Sequence, residues 1–247
     1  DVNEYTLSTA WDVSSASFVD SFSVASEGSS PSDLIFSKSG KKMFVTDNND
    51  DEVNEYTLAT AWDVSSASFE DALDISNEEL FPTGIAFSKS GKKMFIAGGH
   101  GDDVSEYTLA TAWDVSSASF VDSFSVATQD TNPTGIAFSK SGEKMFIVGA
   151  TNGNQGKVSE YTLTTAWDIS TASFVDSFSV ATQETVPTGL AFSKSGDKMF
   201  VVGDTGNDVN EYTLTTAWDV STASFVDSVE VKSCGADCKS SSGLAFN

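Results

Sequence analysis

Ala112-Trp113-Asp114-Val115-Ser116-Ser117-Ala118-Ser119-Phe120 is one of five near-copies of the stretch that decides the fold. Its Trp-Asp pair recurs at spacings of 51, 51, 54 and 51 residues, and the copies use every tryptophan of the chain. These tryptophans are Trp11, Trp62, Trp113, Trp167 and Trp218. A fixed period of about 50 residues is typical of propellers and solenoids, whose repeats bury a core only against their neighbours. The stretch therefore predicts a repeat fold.

One repeat, from Pro133 to Val180, has the pattern of four short strands separated by turns. Their expected ranges are 133–139, 144–149, 157–163 and 173–180. The first two are apolar runs, and the last alternates between apolar and polar residues, as expected of a half-exposed outer strand. Helical periodicity is absent, so the sequence predicts an all-β chain in which each repeat forms one four-stranded propeller blade.

Three motifs of each repeat carry a family resemblance. Pro-Thr-Gly-Ile-Ala-Phe-Ser, Ser-Gly-x-Lys-Met-Phe-Val and Val-x-Glu-Tyr-Thr-Leu resemble the blade pattern of NHL- and YVTN-type β-propellers. The longer string Glu-Tyr-Thr-Leu-x-Thr-Ala-Trp-Asp-Val-Ser is similar to tandem repeats of uncharacterised marine bacterial and phage proteins. The resemblance implies a propeller fold over nearly the whole chain and implies little about function, because propellers host many activities.

Counting strands predicts a five-bladed β-propeller of four-stranded antiparallel blades, formed by residues 1–247 as a single domain. Complete blades are expected at about 31–75, 82–126, 133–180 and 187–231. The fifth blade is expected to be shared by the two termini, residues 2–24 and 241–246, and to be short by one strand. The Lys-Met-Phe strand occurs only four times, at Met43, Met94, Met145 and Met199. A fragment of a longer array and strand exchange with another chain are the alternatives.

The charge of the chain limits its partners. The net charge is −23, and lysine supplies all 13 basic residues, since the sequence contains no arginine. Arginine is the usual residue for bidentate phosphate and guanine contacts, so nucleic acid and anionic membranes are not expected as partners. No run of about 20 apolar residues is present, so membrane insertion is not expected either.

Alternating strands predict two faces of opposite charge. Ten lysines fall in or beside the turns between first and second strands, and acidic residues collect in the loops of the opposite face. Hydrated turns explain this distribution, and a cation or glycan site is the alternative. Calcium is the one cofactor suggested, because hard oxygen ligands are dense in two of these loops. The candidate ligands are Asp47, Asp50, Asp51, Asp204 and Asp208.

A unique site is expected where the repeat is broken. The second repeat carries Leu80 and Phe81 before its proline, and the facing loop holds the single histidine, His100. The third repeat carries a three-residue insertion that includes Asn152 and Asn154. These five residues are the candidate ligand patch, although a lone histidine in a loop is ordinarily a solvated side chain.

The repeated tryptophans are interpreted as structural wedges between blades, with the following Asp capping the amides of the Val-Ser-Ser turn. Stacking of each Trp on a sugar is the alternative. The third-strand glutamates are expected to pair with second-strand lysines such as Lys144. Cys234 and Cys238 are interpreted as a local disulfide, with free thiols or a metal site as alternatives. A disulfide favours an extracellular location, at a cell or virion surface.

The leading hypothesis for function is a non-enzymatic binding or display scaffold that recognises a glycan or a surface protein. One histidine and no nucleophile–base motif leave catalysis without a candidate pair. A metal-dependent hydrolase or lyase with its site at the acidic mouth of the propeller is one alternative. A purely structural segment of a long repeat adhesin is another.

Overall fold

The computed structural model describes residues 1–151, 155–231 and 241–247, which form short antiparallel strands joined by turns. Four sheets of four strands each are the blades, and every blade follows chain order. Blade 1 contains β3 (Pro31–Phe36), β4 (Lys42–Asp47), β5 (Glu52–Leu58) and β6 (Ala67–Asp74). Blade 2 contains β7 (Pro82–Phe87), β8 (Lys93–Gly98), β9 (Asp103–Leu109) and β10 (Ala118–Ser125).

The second half of the chain repeats this arrangement. Blade 3 contains β11 (Pro133–Phe138), β12 (Lys144–Thr151), β13 (Gln155–Leu163) and β14 (Ala172–Ser179). Blade 4 contains β15 (Pro187–Phe192), β16 (Lys198–Gly203), β17 (Asp208–Leu214) and β18 (Ala223–Glu230). The N-terminal residues form only a two-stranded sheet, the hairpin β1 (Val2–Leu7) and β2 (Ala16–Phe22).

The prediction of five blades is wrong, because the structure shows a four-bladed propeller. The hairpin β1–β2 is a sheet of its own, and residues 241–247 form no strand. The physical reason is the missing fifth copy of the Lys-Met-Phe strand. Within residues 1–151, 155–231 and 241–247, β1 forms a sheet with β2 alone, and the C-terminal residues have no neighbouring strand with which to pair. The two termini therefore do not join into one blade.

The core lies between neighbouring sheets. Phe44 and Val53 of blade 1, for example, share a buried cluster with Ile85 and Met94 of blade 2. The hairpin takes part in the same way, since Val2 packs against blade 1 and Val13 packs against blade 4. Each sheet therefore buries both faces against its neighbours, and the hairpin fills the space between blade 4 and blade 1.

The first strand of each blade is the innermost, and these strands approach one another closely. A Cβ added at Gly84 of β7 would lie 2.8 Å from the Cα of Gly135 of β11. The equivalent glycines Gly189 and Gly243 are packed against their neighbours in the same manner. The Pro-Thr-Gly motif thus places backbone against backbone at the centre of the ring.

The outermost strands are mostly exposed, and each is interrupted by a register shift opposite the Glu-Tyr pair of the third strand. Such a bulge twists an edge strand and hinders pairing with other chains. Before each outer strand the chain makes a single 3-10 turn. These turns are Val13–Ser15, Val64–Ser66, Val115–Ser117, Ile169–Thr171 and Val220–Thr222. No helix in the described part of the chain is long and apolar enough to span a membrane.

Candidate functional site

We call one face of the ring the lysine face; it consists of the turns between first and second strands and the five Trp-Asp loops. Each of these turns contains a glycine with a positive φ. In blade 2 the Gly91 amide donates to the Ser88 carbonyl at 2.8 Å, and Gly91 has a φ of 69°. Trp113 covers this turn so closely that a Cβ on Gly91 would lie 2.2 Å from its Nε1. Glycine is therefore required both by the left-handed backbone and by the indole above it.

Each tryptophan lies between two neighbouring units of the ring. Trp113 of blade 2 stacks on Phe44 of blade 1 at 6.3 Å between ring centroids and contacts Phe87 of its own blade at 5.0 Å. All five tryptophans have positive φ values, between 62° and 68°. A non-glycine residue in this region costs of order 1 kcal/mol, which the surrounding packing must offset. This geometry is that of a wedge between blades.

A second contact joins the blades beside each wedge. Lys144 of β12 pairs with Glu160 of β13 at 2.6 Å, as the sequence predicts, and its Nζ also donates to the Trp218 carbonyl of blade 4 at 2.6 Å. The other carboxylate oxygen of Glu160 accepts from the Val220 amide at 3.1 Å. The same three contacts recur for Lys42, Lys93 and Lys198 with their glutamates. The pair therefore links consecutive units.

The Asp that follows each tryptophan caps the next turn only in part. Asp12 and Asp219 accept from the amide two residues ahead, at 3.1 Å in both cases. In all five copies the carboxylate accepts from the serine hydroxyl two residues ahead, at 2.6 Å. The hydroxyl is thus the more regular partner, which the sequence prediction of an amide cap missed.

Two grooves open on the lysine face beside these wedges. The first, here the Lys89 groove, is about 500 Å³ and is lined by Lys38 of blade 1, Lys89 of blade 2 and Trp167 of blade 3, among others. The second, the Lys140 groove, is about 620 Å³ and is lined by Lys140, Glu143 and Trp218, among others. Lysine supplies every charge that lines the Lys89 groove, whereas Glu143 places a carboxylate in the Lys140 groove.

The side chains of Lys38 and Lys89 differ from those of their lysine neighbours. Lys92 donates to the Ala110 carbonyl and Lys93 pairs with Glu106, so both charges are already engaged. Lys38 and Lys89 are exposed, and within the described residues neither forms an ion pair. Two free ammonium groups therefore face solvent at the mouth of one groove.

The acidic face, formed by the loops between second and third strands and between units, contains one buried carboxylate per blade. These are Asp47, Glu79, Asp130 and Glu184, and each is at most 2% exposed. Glu79, Asp130 and Glu184 each cover a glycine of the second strand, namely Gly98, Gly149 and Gly203. In blade 1 the arrangement is exchanged, because Asp47 occupies the second-strand position and covers Gly28. Every blade thus has a buried carboxylate at this place, but in blade 1 the second strand supplies it instead of the loop between units.

These carboxylates bind backbone amides. Asp47 accepts from the amides of Ser30, Asn49 and Asp50 at 2.8–3.1 Å. Glu184 accepts from Val186 at 2.7 Å and from Thr205 at 3.2 Å. A carboxylate surrounded by amide donors organises its loop, since it satisfies several backbone groups at once.

The predicted calcium ligands are distributed over separate loops. Asp47, Asp50 and Asp51 belong to blade 1, and Asp51 accepts from the Phe81 amide of the next inter-blade loop at 3.0 Å. Asp204 and Asp208 belong to blade 4. In the part of the chain that the structure describes, no three His, Cys, Asp or Glu side chains converge as a metal site would require.

The predicted ligand patch is partly brought together in blade 2. The Phe81 carbonyl accepts from Gly99 at 3.2 Å, and the His100 amide donates to Glu79 at 3.2 Å, so these two loops meet. Phe81 is 54% exposed with a φ of 66°, while Leu80 is partly buried. Asn152, Asn154, Cys234 and Cys238 lie outside the described residues. The patch is therefore a blade 2 feature centred on Glu79.

Burial changes the acidity of the carboxyl groups in this patch. Burial raises the pKa of Glu79 to about 7, and the nearby Asp103 and Asp51 charges act in the same direction. Burial also raises the pKa of Asp103. Two close carboxyl groups in a poorly solvated site favour holding a proton between them. The sequence placed Glu79 and Asp103 on the acidic face but gave no sign that the two carboxyl groups are buried together.

Asp33 is the functional candidate that sequence reasoning missed. It stands where the inner strands of blades 2, 3 and 4 carry Gly84, Gly135 and Gly189 and where the C-terminal segment carries Gly243, so its carboxylate lies at the centre of the ring. That carboxylate accepts from the Ile85 amide of blade 2 at 2.9 Å and from the Leu34 amide at 2.8 Å. Burial raises its pKa to about 7. The signal was present, because Pro31-Ser32-Asp33 stands where blades 2, 3 and 4 have Pro-Thr-Gly.

Comparison with known proteins confirms the propeller fold and leaves the activity open. No family model and no curated protein matches the chain, so the NHL-like resemblance is not confirmed. A protein of unknown function from Desulfotomaculum acetoxidans is 14% identical, with a TM-score of 0.53 over 98% of this chain and 67% of that one. The periplasmic gluconolactonase of Pseudomonas aeruginosa is 18% identical, with a TM-score of 0.51 over 81% of this chain and 54% of that one.

A third solved structure shows how little the fold restricts function. Hydrazine synthase of Kuenenia stuttgartiensis is 14% identical, with a TM-score of 0.51 over 87% of this chain and 53% of that one. The chain thus spans between about half and two thirds of the length of these three structures. Proteins with unrelated chemistry share the propeller, so the class defined here is a β-propeller scaffold whose activity depends on its own side chains.

Proposed function

We propose that this chain is a non-enzymatic binding scaffold that recognises an acidic glycan through the Lys89 groove. The observation that carries the proposal is the convergence of Lys38, Lys89 and Trp167 from three consecutive blades on one groove. Ammonium groups attract carboxylated or sulfated sugars, and an indole offers a flat apolar surface to a sugar ring. The scaffold holds these groups in place because each turn is fixed by its glycine and tryptophan.

The overall charge of −23 does not prevent this recognition. Asp47, Glu79, Asp130 and Glu184 lie on the opposite face, and charges further apart than about 8 Å are largely screened at physiological salt. The buried Glu106 is nearer the groove, but it is paired with Lys93. Near the groove the local field is set by the exposed lysines. Binding is therefore expected to weaken as the salt concentration rises, because the attraction acts between exposed groups.

The proposal is tested by titrating the protein with a sulfated, a carboxylated and a neutral polysaccharide and measuring the heat of binding. The acidic polymers should bind and the neutral polymer should not. Replacing both Lys38 and Lys89 by Gln should weaken binding about tenfold or more, since each removes a charged contact. Lys140→Gln is the matched control, because its groove contains Glu143, and it should change affinity less than about twofold. Equal binding of neutral and acidic polymers would contradict the proposal.

A second candidate function is hydrolysis at the blade 2 patch of the acidic face. It is favoured by the Glu79–Asp103 carboxyl pair, since a carboxyl whose pKa is about 7 suits proton transfer near neutral pH. A gluconolactonase is among the proteins of similar fold. Lactone hydrolysis that is lost in Glu79→Gln and kept in Lys89→Gln would favour this function over glycan binding.

A further inference from the structure

Each blade has one buried carboxylate on the acidic face, and in three blades its charge is stabilised by groups of the chain. Asp47 of blade 1 and Glu184 of blade 4 each accept from three backbone amides. In blade 3, Asp130 accepts from the Asn132 amide at 3.0 Å. Burial raises the pKa of Asp130, and the nearby ammonium group of Lys157 acts in the opposite direction. Amide donors or an ammonium group thus favour the charged form in these three blades.

Glu79 of blade 2 is the exception. Among the described residues its carboxylate accepts from one backbone amide, that of His100, at 3.2 Å. The group beside it is a second carboxyl, Asp103 of β9. Asp103 stands opposite the second-strand glycine, the ladder position that Lys157 of β13 has in blade 3. Blade 2 therefore places an acid where blade 3 places an ammonium group.

Three buried polar atoms on one face of β9 point to a ligand at this carboxyl pair. Asp103 Oδ1, Ser105 Oγ and the Tyr107 hydroxyl have no hydrogen-bond partner within the described part of the chain. Ser105 and Tyr107 are 1% and 3% exposed. Burial raises the pKa of Tyr107, and the Glu78, Glu79 and Asp103 charges act in the same direction, so these groups share one region. Buried polar atoms nearly always have a partner, so this region suits a polar ligand.

Two further charged groups face the pair. Asp51 adds negative charge near Glu79 and accepts from the Phe81 amide at 3.0 Å. His100 can carry positive charge and acts on Asp103. His100 is exposed, so water and salt screen its charge. The surroundings of the pair are therefore negative on balance and favour a cation.

We propose that Glu79 and Asp103 together bind one primary ammonium group of a small amine, in the place that Lys157 takes in blade 3. A primary ammonium group has three N–H donors. Glu79, Asp103 Oδ1 and Ser105 Oγ offer three acceptors, and the bonds to the two carboxylates are charge-assisted. Asp103 is only partly buried, which gives the amine access from solvent.

A divalent metal ion fits this pair less well than an ammonium group does. Calcium takes about six to eight oxygen ligands. In residues 1–151, 155–231 and 241–247 no three His, Cys, Asp or Glu side chains converge as such an ion would require. The pair lies on the face opposite the Lys89 groove, so its ligand is independent of glycan binding there.

The test compares thermal unfolding in methylammonium chloride with unfolding in tetramethylammonium chloride of the same ionic strength, near neutral pH. Tetramethylammonium has the same charge but no N–H donor, so the comparison removes the general screening of the acidic chain. We expect the Tm to be about 3 °C higher in methylammonium, because a ligand that binds only the folded chain stabilises it. Equal Tm values in the two salts would show that the pair holds only a proton and would overturn the proposal.

Changes at Asp103 make the test specific to the pair. Asp103→Lys supplies the ammonium group from the chain, as in blade 3, and should abolish the difference between the two salts. Asp103→Asn keeps the side-chain shape and should reduce the difference by at least about half, which tests the site even if the lysine variant fails to fold. Asp122→Lys, an exposed change of equal charge on β10 of the same blade, is the matched control and should keep the difference.

Two further results would overturn the proposal. One is a difference between the salts that Asp103→Lys and Asp103→Asn both retain in full, since the amine would then act elsewhere. The other is a larger stabilisation by sodium or calcium chloride of equal ionic strength, which would assign the pair to a metal ion.

Discussion

The Nζ atom of Lys42 in blade 1 lies 2.8 Å from the carbonyl oxygen of Trp113 in blade 2, to which it donates a hydrogen bond. The same ammonium group pairs with Glu55, whose carboxylate also accepts from the Val115 amide beside that carbonyl. A strand-borne ion pair thus joins two sheets that share no backbone ladder. This unit recurs in all four blades, each of which has the same lysine and glutamate.

Removing the lysine of one link should weaken the contact between two blades and lower the free energy of unfolding. Lys42→Met leaves the Glu55 carboxylate, which is 2% exposed, without its cation, and we expect the free energy of unfolding to fall by about 2 kcal/mol. Urea denaturation measures the loss. Lys41→Met is the control, since Lys41 is exposed and bonds only the Ala59 carbonyl, and it should change stability by less than about 0.5 kcal/mol. Equal effects of the two changes would contradict the link.

The glycine turn under each tryptophan should not tolerate a methyl group. Gly91→Ala forces an alanine to a φ of 69° and brings its Cβ to 2.2 Å from Trp113. We expect a loss of at least about 2 kcal/mol, from backbone strain and displacement of the indole. Gly99→Ala is the matched control, because the nearest atom to its added Cβ is 3.7 Å away. Thermal unfolding of both variants would measure the difference, and a stable Gly91→Ala would refute the requirement.

It should be possible to move the buried carboxylate of blade 1 from Asp47 to position 28, which corresponds to the loop position of the acid in the other blades. Gly28→Glu alone collides with Asp47, and Asp47→Gly alone leaves three amides without their acceptor. We expect each single change to cost about 1–3 kcal/mol. The double variant rebuilds the Glu79–Gly98 arrangement and should recover most of that loss. A double-mutant cycle measures the recovery, and strictly additive losses would show that the exchange is coincidental.

Stability should depend on the Asp33 carboxyl at mildly acidic pH. Burial raises its folded pKa to about 7, from 3.8. Between these pH values the folded chain retains a proton that the unfolded chain has released, so the free energy of unfolding falls as the pH rises through this window. Asp33→Asn should flatten this slope between pH 4 and 7, whereas the exposed control Asp20→Asn should keep it. Urea midpoints across the window provide the measurement; an unchanged slope in Asp33→Asn would contradict the assignment.

The strands could be predicted from the sequence because their signals are local. The turn glycines, the Lys-Met-Phe runs and the alternating outer strands place β11 to β14 close to their expected bounds. The pairing of Lys144 with Glu160 was also predictable, since neighbouring strands bring these positions together. The number of blades was not, because a blade needs all four strands. Five copies of the outer-strand motif suggested five blades, but one copy belongs to the two-stranded hairpin β1–β2.

The candidate sites depend on contacts that span the ring, and the sequence does not encode these locally. Lys38, Lys89 and Trp167 come from three blades, and no spacing pattern shows that they line one groove. In blade 1 the carboxylate and the glycine have changed places, at Asp47 and Gly28. This is visible only when blade 1 is compared with the other blades in the structure. Asp33 is the exception, because it replaces the glycine of a repeated motif. Searching for such single departures within a regular repeat would have found it.

Hydrogen exchange of the protein tests the central claim that the ring contains four four-stranded blades and one two-stranded hairpin. Among the described residues β1 has one neighbouring strand, whereas its equivalents β5, β9 and β17 each have two. We expect amides of residues 2–7 to exchange at least about tenfold faster than those of residues 52–58, 103–109 and 208–214. Residues 243–246 should exchange as fast as residues 2–7. Protection of residues 2–7 equal to that of the other three segments would contradict this account of the ring.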